Sequence, residues 1–206
     1  CHTDLWNPAA GTWSGLPARL GLAGRMAPAR LPGEELGRLK PAQAETGIGP
    51  VPVLTGIHDS NASLVPHLLA RSAPFAVVST GTWVISMAIG GANPTLDPSR
   101  DTLVNVSALG HPVPSARFMG GREYELTRPK TPVTPGPEDV ARVLRDGVML
   151  LPPVVPGSGP FPQRAHRWTR EPASDAGREV ALGYALALTT ATCLDLIGAA
   201  GPMLVE

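Results

Sequence analysis

Residues 55–63 read TGIHDSNAS, and residues 77–83 read VVSTGTW. Each stretch places polar side chains directly after a short apolar run, 51–54 (VPVL) in the first case and 75–78 (FAVV) in the second. Apolar runs of this length, bounded by Gly, Ser or Asp, are typical of buried strands. A carboxylate at one strand end and a turn of small hydroxyl residues at another are groups that phosphoryl transfer uses, as a base and as backbone N–H donors to phosphate.

The bulk properties of the chain direct attention to a local site. The 206 residues carry a formal net charge of +0, so no basic field favours nucleic acid or an anionic membrane. No run approaches the roughly twenty apolar residues of a membrane span. The cysteines, Cys1 and Cys193, form no disulfide framework, and the five histidines fall in no metal-ligand spacing. We expect a cytoplasmic protein with no nucleic-acid or membrane partner and no metal ligands of its own.

Apolar periodicity and turn residues divide the chain into alternating strands and helices, which indicates a layered α/β protein. The break at 71–74 (RSAP) predicts a hinge or domain boundary. The final residues, 201–206, have strand character but no evident partner. Strands are predicted at 51–54, 75–78, 84–89 and 148–151, and helices at 33–39, 60–70, 118–125, 136–147 and 175–197.

Two simpler interpretations of the opening stretches remain open on the residues alone. Asp59 could cap the helix that follows it, although Ser60 could cap it equally well and leave Asp59 to face a cleft. The segment 79–82 (STGT) could be an ordinary hairpin turn. P-loop, dinucleotide-binding and serine-hydrolase motifs are missing from the sequence, which disfavours those three chemistries.

Taken together and in this order, 56–60 (GIHDS) and 79–83 (STGTW) resemble the centre of the FGGY carbohydrate kinases. The His-Asp pair and the Gly-Thr-Trp run are most similar to the rhamnulokinase and fuculokinase branch. The resemblance implies an α/β, actin-like ATPase (ribonuclease H-like) fold, with parts of two domains around a cleft. Residues 1–72 would be the C-terminal part of the sugar-side domain, and 73–206 the N-terminal part of the nucleotide-side domain.

The resemblance also implies roles for individual residues. Asp59 would be the general base that accepts a proton from the attacking sugar hydroxyl. Together with Asp59, the residues His58, Ser60 and Asn105 would bind the sugar; for Asn105, an ordinary loop asparagine is the alternative. The ATP-binding residues would be Thr80, Gly81 and Thr82, with Mg²⁺ offsetting phosphate charge.

The implied activity is ATP-dependent phosphorylation of a monosaccharide hydroxyl, on a ketose or deoxyketose, by an enzyme that could form a homo-oligomer. Members of this family carry an Asp-x-Gly-Thr phosphate motif near the N-terminus and a Gly-Gly adenosine motif near the C-terminus. We find neither motif at those places in this sequence, so we expect the middle part of a kinase. The loop 154–159 (VVPGSG) also lacks the charged residues of many relatives. The alternatives are a degenerate, non-catalytic sugar- or nucleotide-binding protein and a purely structural fragment.

Overall fold

A computed structural model describes residues 4–39 and 50–206 of the chain. Cys1 lies outside these ranges. The chain divides into two units. The first comprises the described residues of Cys1–Ser72 together with Val104–Val113, and the second comprises Ala73–Leu103 and Pro114–Glu206.

A five-stranded sheet forms the centre of the second unit. Its strands lie in the order β11, β5, β6, β8, β7. The outer end of the β7–β8 hairpin, Val104–Val113, is counted with the first unit. The strand bounds are β5 (Phe75–Ser79), β6 (Val84–Ile89), β7 (Thr102–Val106), β8 (Pro112–Phe118) and β11 (Met203–Val205).

The predicted apolar strand at 75–78 is confirmed as β5, and its position explains its composition. It pairs with β6 on one side, antiparallel, and with β11 on the other, parallel. Phe75 to Val78 are all buried, so both faces of the strand are covered. Apolar side chains therefore occupy successive positions and do not alternate with polar ones. The strand expected at 84–89 is β6. The apolar run at the end of the sequence does have a partner, because β11 pairs with β5.

Three helices, α3 (Gly120–Thr127), α4 (Pro137–Asp146) and α5 (Asp175–Leu196), complete the second unit. Cys193 on α5 packs into an apolar cluster with residues of β5, β6 and β8. The α4 boundaries match the prediction: Pro137 begins the helix, and Gly147 ends it with a φ of 63° that favours glycine. A short hairpin of β9 (Leu150–Leu151) and β10 (Arg167–Trp168) lies between α4 and α5 in sequence.

By length and composition alone, the 22-residue helix α5 contains an 18-residue stretch apolar enough to cross a membrane. The helix packs with one face against the rest of the second unit, while Leu188 is 54% exposed. Leu182 packs in a cluster with Leu150, Ala181 in another with Val143, and Cys193 in the sheet cluster. Ser174 caps its first turn by accepting a hydrogen bond from the N–H of Gly177 at 3.0 Å.

The first unit is built from short elements. It contains the hairpin of β1 (Trp6–Asn7) and β2 (Thr12–Trp13), a single turn of helix α1 (Leu16–Arg19), the antiparallel pair β3 (Glu35–Arg38) and β4 (Pro52–Leu54), and helix α2 (Asp59–Ala70). The predicted helix at 60–70 is confirmed as α2, with Pro66 inside it.

The predicted helix at 33–39 is wrong, because Glu35–Arg38 forms strand β3. A seven-residue helix is marginal in water, and Gly37 inside it would lower its stability further. Pairing with β4 provides the backbone with partners that so short a helix could not. Two smaller differences concern boundaries: β8 continues to Phe118, so α3 begins at Gly120, and the strand expected at 148–151 is limited to Leu150–Leu151.

Candidate functional site

The predicted base, Asp59, is the first residue of α2, directly after the capping residue His58. Its side chain is 90% exposed. The Oδ1 atom accepts hydrogen bonds from the N–H of Ser60 at 2.6 Å and from the Ser60 hydroxyl at 3.3 Å. Asp59 therefore contributes to the start of the helix, as the capping interpretation expected, and its carboxylate also remains accessible from outside the helix.

The imidazole of His58 lies against the same carboxylate. Its Nδ1 is 2.8 Å from Oδ1 of Asp59 and 3.3 Å from the backbone N of Ser60. One nitrogen cannot donate to the carboxylate and accept from the N–H at the same time. The shorter distance favours a protonated Nδ1 that donates to Asp59, since the N–H of Ser60 already has Asp59 as its partner. His58 then holds the orientation of the Asp59 side chain.

A cavity of about 560 Å³ lies beside the start of α2, and all of its lining residues belong to the first unit. The volume is that of a typical small-molecule site. Of the predicted sugar-binding residues, His58 lines the cavity. Asp59 is the next residue in sequence, and Asn105 directly precedes the lining residues Val106 and Ser107.

Part of the cavity lining, called the apolar wall below, is apolar and aromatic. The indole of Trp6 is held edge-on by Trp13, with ring centroids 5.3 Å apart and an interplanar angle of 89°. The apolar lining side chains are Trp6, Ala29, Leu31, Pro32, Ile57 and Val106. Such a wall suits the C–H faces of a small ligand, and the polar lining groups can fix the orientation of that ligand.

Asn61 is a cavity residue that the sequence reasoning missed. It lies three positions after His58 at the start of α2, so the two residues share one face of the helix. Asn61 is 4% exposed, and its Oδ1 has no hydrogen-bond partner among the described residues. The sequence signal was weak, because asparagine near a helix start is ordinarily interpreted as a cap.

Asn105 lies on β7 and is buried, with 4% of its surface exposed. It is therefore a strand residue and not the loop residue that the alternative interpretation assumed. Its burial beside two cavity-lining neighbours is compatible with a contact to a ligand or with a packing role, and the proposed sugar contact stays a prediction.

The second predicted site, 79–83, comprises the last residue of β5 and the turn that connects β5 to β6. Gly81 and Thr82 are exposed. The N–H and the hydroxyl of Thr80 both donate to the backbone carbonyl of Glu206, at 2.8 and 2.7 Å. Thr80 thus anchors the turn to the end of β11, while Gly81 and Thr82 form its exposed part.

The start of α3 packs against this turn and against β6. Gly120 and Gly121, the first two residues of α3, allow the close approach. The N–H of Arg122 donates to the Thr82 carbonyl at 3.4 Å. A Cβ atom added to Gly121 would lie 2.1 Å from the Gly81 carbonyl oxygen. A Cβ atom on Gly120 would lie 2.5 Å from a methyl group of Val84. A side chain at Gly121 would have to displace the backbone of the turn, and one at Gly120 would have to displace the side chains of Val84 and Phe118.

Glu123 on α3 is a buried carboxyl group with a positioning role. Its Oε1 accepts hydrogen bonds from the N–H groups of Val154 and Val155, at 3.0 and 3.2 Å. Burial raises the pKa of Glu123, and the two N–H donors and His166 oppose that rise. Glu123 therefore holds the loop at 154–159 against α3. This attachment uses backbone N–H groups of the loop, so it does not require charged side chains there.

The described residues contain no group of three or more His, Cys, Asp or Glu side chains that could hold a metal ion. Magnesium that accompanies a nucleotide is commonly held by phosphates, water and one or two carboxylates.

Comparison with known proteins decides the family. Residues 72–206 match the model of the carbohydrate kinase FGGY C-terminal domain. The chain belongs to the FGGY carbohydrate kinase family. No curated protein matches the chain significantly. The mixed α/β architecture is accordingly that of the actin-like ATPases, as the resemblance implied.

Solved structures agree with this FGGY fold. A carbohydrate kinase from Novosphingobium aromaticivorans is 42% identical with a TM-score of 0.87, covering 100% of this chain and 48% of that one. A xylulose kinase from Rhodospirillum rubrum is 20% identical with a TM-score of 0.64, covering 94% and 42%. A Plasmodium falciparum glycerol kinase with ADP is 10% identical with a TM-score of 0.63, covering 98% and 44%. The FGGY chain thus spans about half the length of these kinases.

Proposed function

We propose that this chain carries part of the active site of an ATP-dependent sugar kinase. The observation that carries the proposal is Asp59: an exposed carboxylate at the start of a helix, oriented by His58 beside a ligand-sized cavity, in a chain of the FGGY family. Carbohydrate and glycerol kinases among the similar structures support phosphorylation of a small polyol or sugar.

In the proposed reaction, Asp59 accepts the proton of a sugar hydroxyl as that oxygen attacks the γ-phosphorus of ATP. The bond from the γ-phosphorus to the bridging oxygen breaks, and ADP leaves with the electron pair. His58, through Nδ1, holds the Asp59 carboxylate in position, and Ser60 and Asn105 contribute to sugar binding. Mg²⁺ bound with ATP would neutralise phosphate charge.

The nucleotide side of the proposal rests on the turn between β5 and β6. Gly81 and Thr82 are exposed and can offer backbone N–H groups and a hydroxyl to phosphates. Thr80 contributes by anchoring the turn through its two hydrogen bonds to Glu206. We assign residues 1–72 to the sugar-side domain and 73–206 to the nucleotide-side domain, and we expect the protein to be cytoplasmic.

The apolar wall of the cavity supports the finer proposal of a deoxyketose substrate, in line with the similarity to the rhamnulokinase and fuculokinase branch. A sugar hydroxyl pressed against Trp6, Leu31 or Val106 would lose hydration without gaining a partner, whereas a methyl group would be buried favourably.

Replacement of Asp59 by Asn tests the base. In the full-length protein, Asp59→Asn should reduce kcat for the best sugar by on the order of 10²- to 10⁴-fold, because the amide cannot take the proton. Sugar and ATP affinity, measured by calorimetry, should change far less. The assay follows ADP release with L-rhamnulose, L-fuculose, D-xylulose and glycerol.

Asp175→Asn is the matched control, because Asp175 is likewise the first residue of a helix and directly follows its capping residue. It should leave kcat unchanged. Near wild-type turnover by the Asp59→Asn protein would refute the role of the base. A wild-type protein that binds sugar or ATP without turnover would instead favour a degenerate, non-catalytic relative.

A further inference from the structure

Asn61 lines the cavity of the first unit, and its side-chain oxygen has an unmet hydrogen-bonding capacity. Asn61 is 4% exposed, and its Oδ1 is buried with no hydrogen-bond partner in the part of the chain that the structure describes. More than about nine in ten buried polar groups in proteins are hydrogen-bonded. An unpaired carboxamide oxygen at a ligand-sized cavity therefore calls for an explanation.

Other polar groups that line the cavity have structural partners. The hydroxyl of Ser107 accepts hydrogen bonds from the N–H groups of Leu109 and His111, at 3.3 and 3.2 Å. The guanidinium of Arg30 pairs with Glu34 at 3.1 Å. These bonds hold loops together, and a ligand would have to compete for them. Asn61 differs. Its Oδ1 is covered by neighbouring atoms but makes no hydrogen bond among the described residues, so turning the carboxamide toward a ligand hydroxyl would break no hydrogen bond of that atom.

The position of Asn61 on α2 relates it to the proposed reaction centre. It follows His58 by three residues and Asp59 by two, and both His58 and Asn61 line the cavity. A sugar whose attacking hydroxyl approaches Asp59 would bring further hydroxyls along the same helix end. A sugar hydroxyl can donate the hydrogen bond that an amide oxygen accepts.

We propose that Asn61 is a specificity-determining residue, whose Oδ1 accepts a hydrogen bond from a second hydroxyl of the sugar. The inference rests on the proposed function for the identity of the ligand. A site built to pair with a hydroxyl discriminates strongly against a sugar that lacks it, since the buried amide oxygen would then stay unpaired.

Asn61→Leu in the full-length protein tests the proposal, because leucine has a similar size and no polar atom. We expect the dissociation constant of the best sugar of the panel, measured by calorimetry without ATP, to rise roughly 10- to 100-fold. The melting temperature without ligand should stay equal or rise, because removing an unpaired buried oxygen costs the folded protein nothing. A residue with a merely structural role would show a fall in melting temperature instead.

Ser63→Ala is the matched control. Ser63 lies on the same helix, its hydroxyl donates to the Ser60 carbonyl at 3.0 Å, and it is not among the cavity-lining residues. This change should leave the sugar dissociation constant within about twofold. If Asn61→Leu does not fold, Asn61→Ala provides the same comparison with a smaller side chain.

Monodeoxy analogues of the best sugar identify the hydroxyl. One analogue should bind the wild-type protein weakly and bind Asn61→Leu as well as the parent sugar does. An unchanged dissociation constant in both Asn61 variants overturns the inference. It is also overturned if the variants bind every analogue equally weakly and have a lower melting temperature than the wild-type protein. If the wild-type protein binds none of the sugars, the proposed function itself fails, so the two failures are distinguishable.

Discussion

A single hydrogen atom at Gly121 permits the close contact between α3 and the β5–β6 turn. Gly121 meets the carbonyl of Gly81 so closely that an added Cβ atom would lie 2.1 Å from its oxygen. The sequence shows a Gly-Gly pair at 120–121 but offers no means of knowing what it touches, since the contact joins residues about forty positions apart. Asp59 and Thr82, by contrast, were selected from the sequence because they belong to short motifs that follow strands.

Gly121→Ala should displace the Gly81–Thr82 turn, because the atom in the way is backbone and cannot rotate aside. We expect a loss of stability on the order of 1–3 kcal/mol and, in the full-length protein, ATP affinity weakened by roughly tenfold or more. Thermal unfolding and calorimetric titration with ATP would measure these two effects.

Gly183→Ala is the control for the alanine substitution itself. Gly183 is also helical, and a Cβ atom there meets nothing within 4 Å. This variant should gain about 0.5–1 kcal/mol of stability, because alanine is the better helix former, and should bind ATP normally. Equal ATP affinity in the two alanine variants would contradict the role of Gly121.

At the scale of elements, the prediction succeeded where both ends of an element are marked locally. Helix α4 has Pro137 at its first position and Gly147 after its last, and the Asp139 carboxylate accepts from the N–H of Gly136 at 3.0 Å. Strand β3 was mistaken for a helix because its partner, β4, is separated from it by residues that carry no pairing signal. Local pattern cannot report a partner that lies elsewhere in the chain.

The link between Glu123 and the loop at 154–159 predicts a dependence of stability on pH. The pKa of Glu123 is raised from its ordinary value of 4.5, so the folded state retains a proton that the unfolded state has already released. The contribution of Glu123 to the free energy of unfolding is therefore fully present below pH 4.5 and is lost as the pH rises through the raised pKa.

Glu123→Gln, which stays neutral and keeps an acceptor oxygen, should consequently gain stability relative to wild type as the pH rises from below 4.5 to neutral. Melting temperatures of both proteins across this range measure the difference. Glu125→Gln, on the same helix at an exposed position, is the control. Parallel curves for wild type and Glu123→Gln would show that burial of this carboxyl group has no such effect.

At the scale of the whole molecule, the chain joins a first unit of short elements to a second unit with a five-stranded sheet. The second unit has several buried apolar clusters. In the described part of the first unit, Leu64 is fully buried. The proposed sugar cavity belongs to the first unit, and this chain spans about half the length of the similar kinases. The substrate class is accordingly best tested in the full-length protein.

We expect the full-length protein to prefer deoxyketoses over matched ketoses. L-rhamnulose and L-fuculose differ from L-fructose and L-tagatose by the lack of a terminal hydroxyl. Burying that hydroxyl at the apolar cavity wall should lower kcat/KM by roughly tenfold or more in each pair. Rates of ADP release for the two pairs measure the preference, and equal or better rates with the hydroxylated sugars would contradict it.

The sequence by itself determined the family, the alternation of strands and helices, and the candidates Asp59 and Thr82, because motifs, caps and apolar periodicity are properties of neighbouring residues. Only the tertiary structure decided that Asn61 lines a cavity and has a buried oxygen with no partner among the described residues, that Gly121 lies against Gly81, and that the last strand pairs with β5. The physical reason is that burial, close contact and strand pairing are relations between distant parts of the chain, which local pattern does not encode.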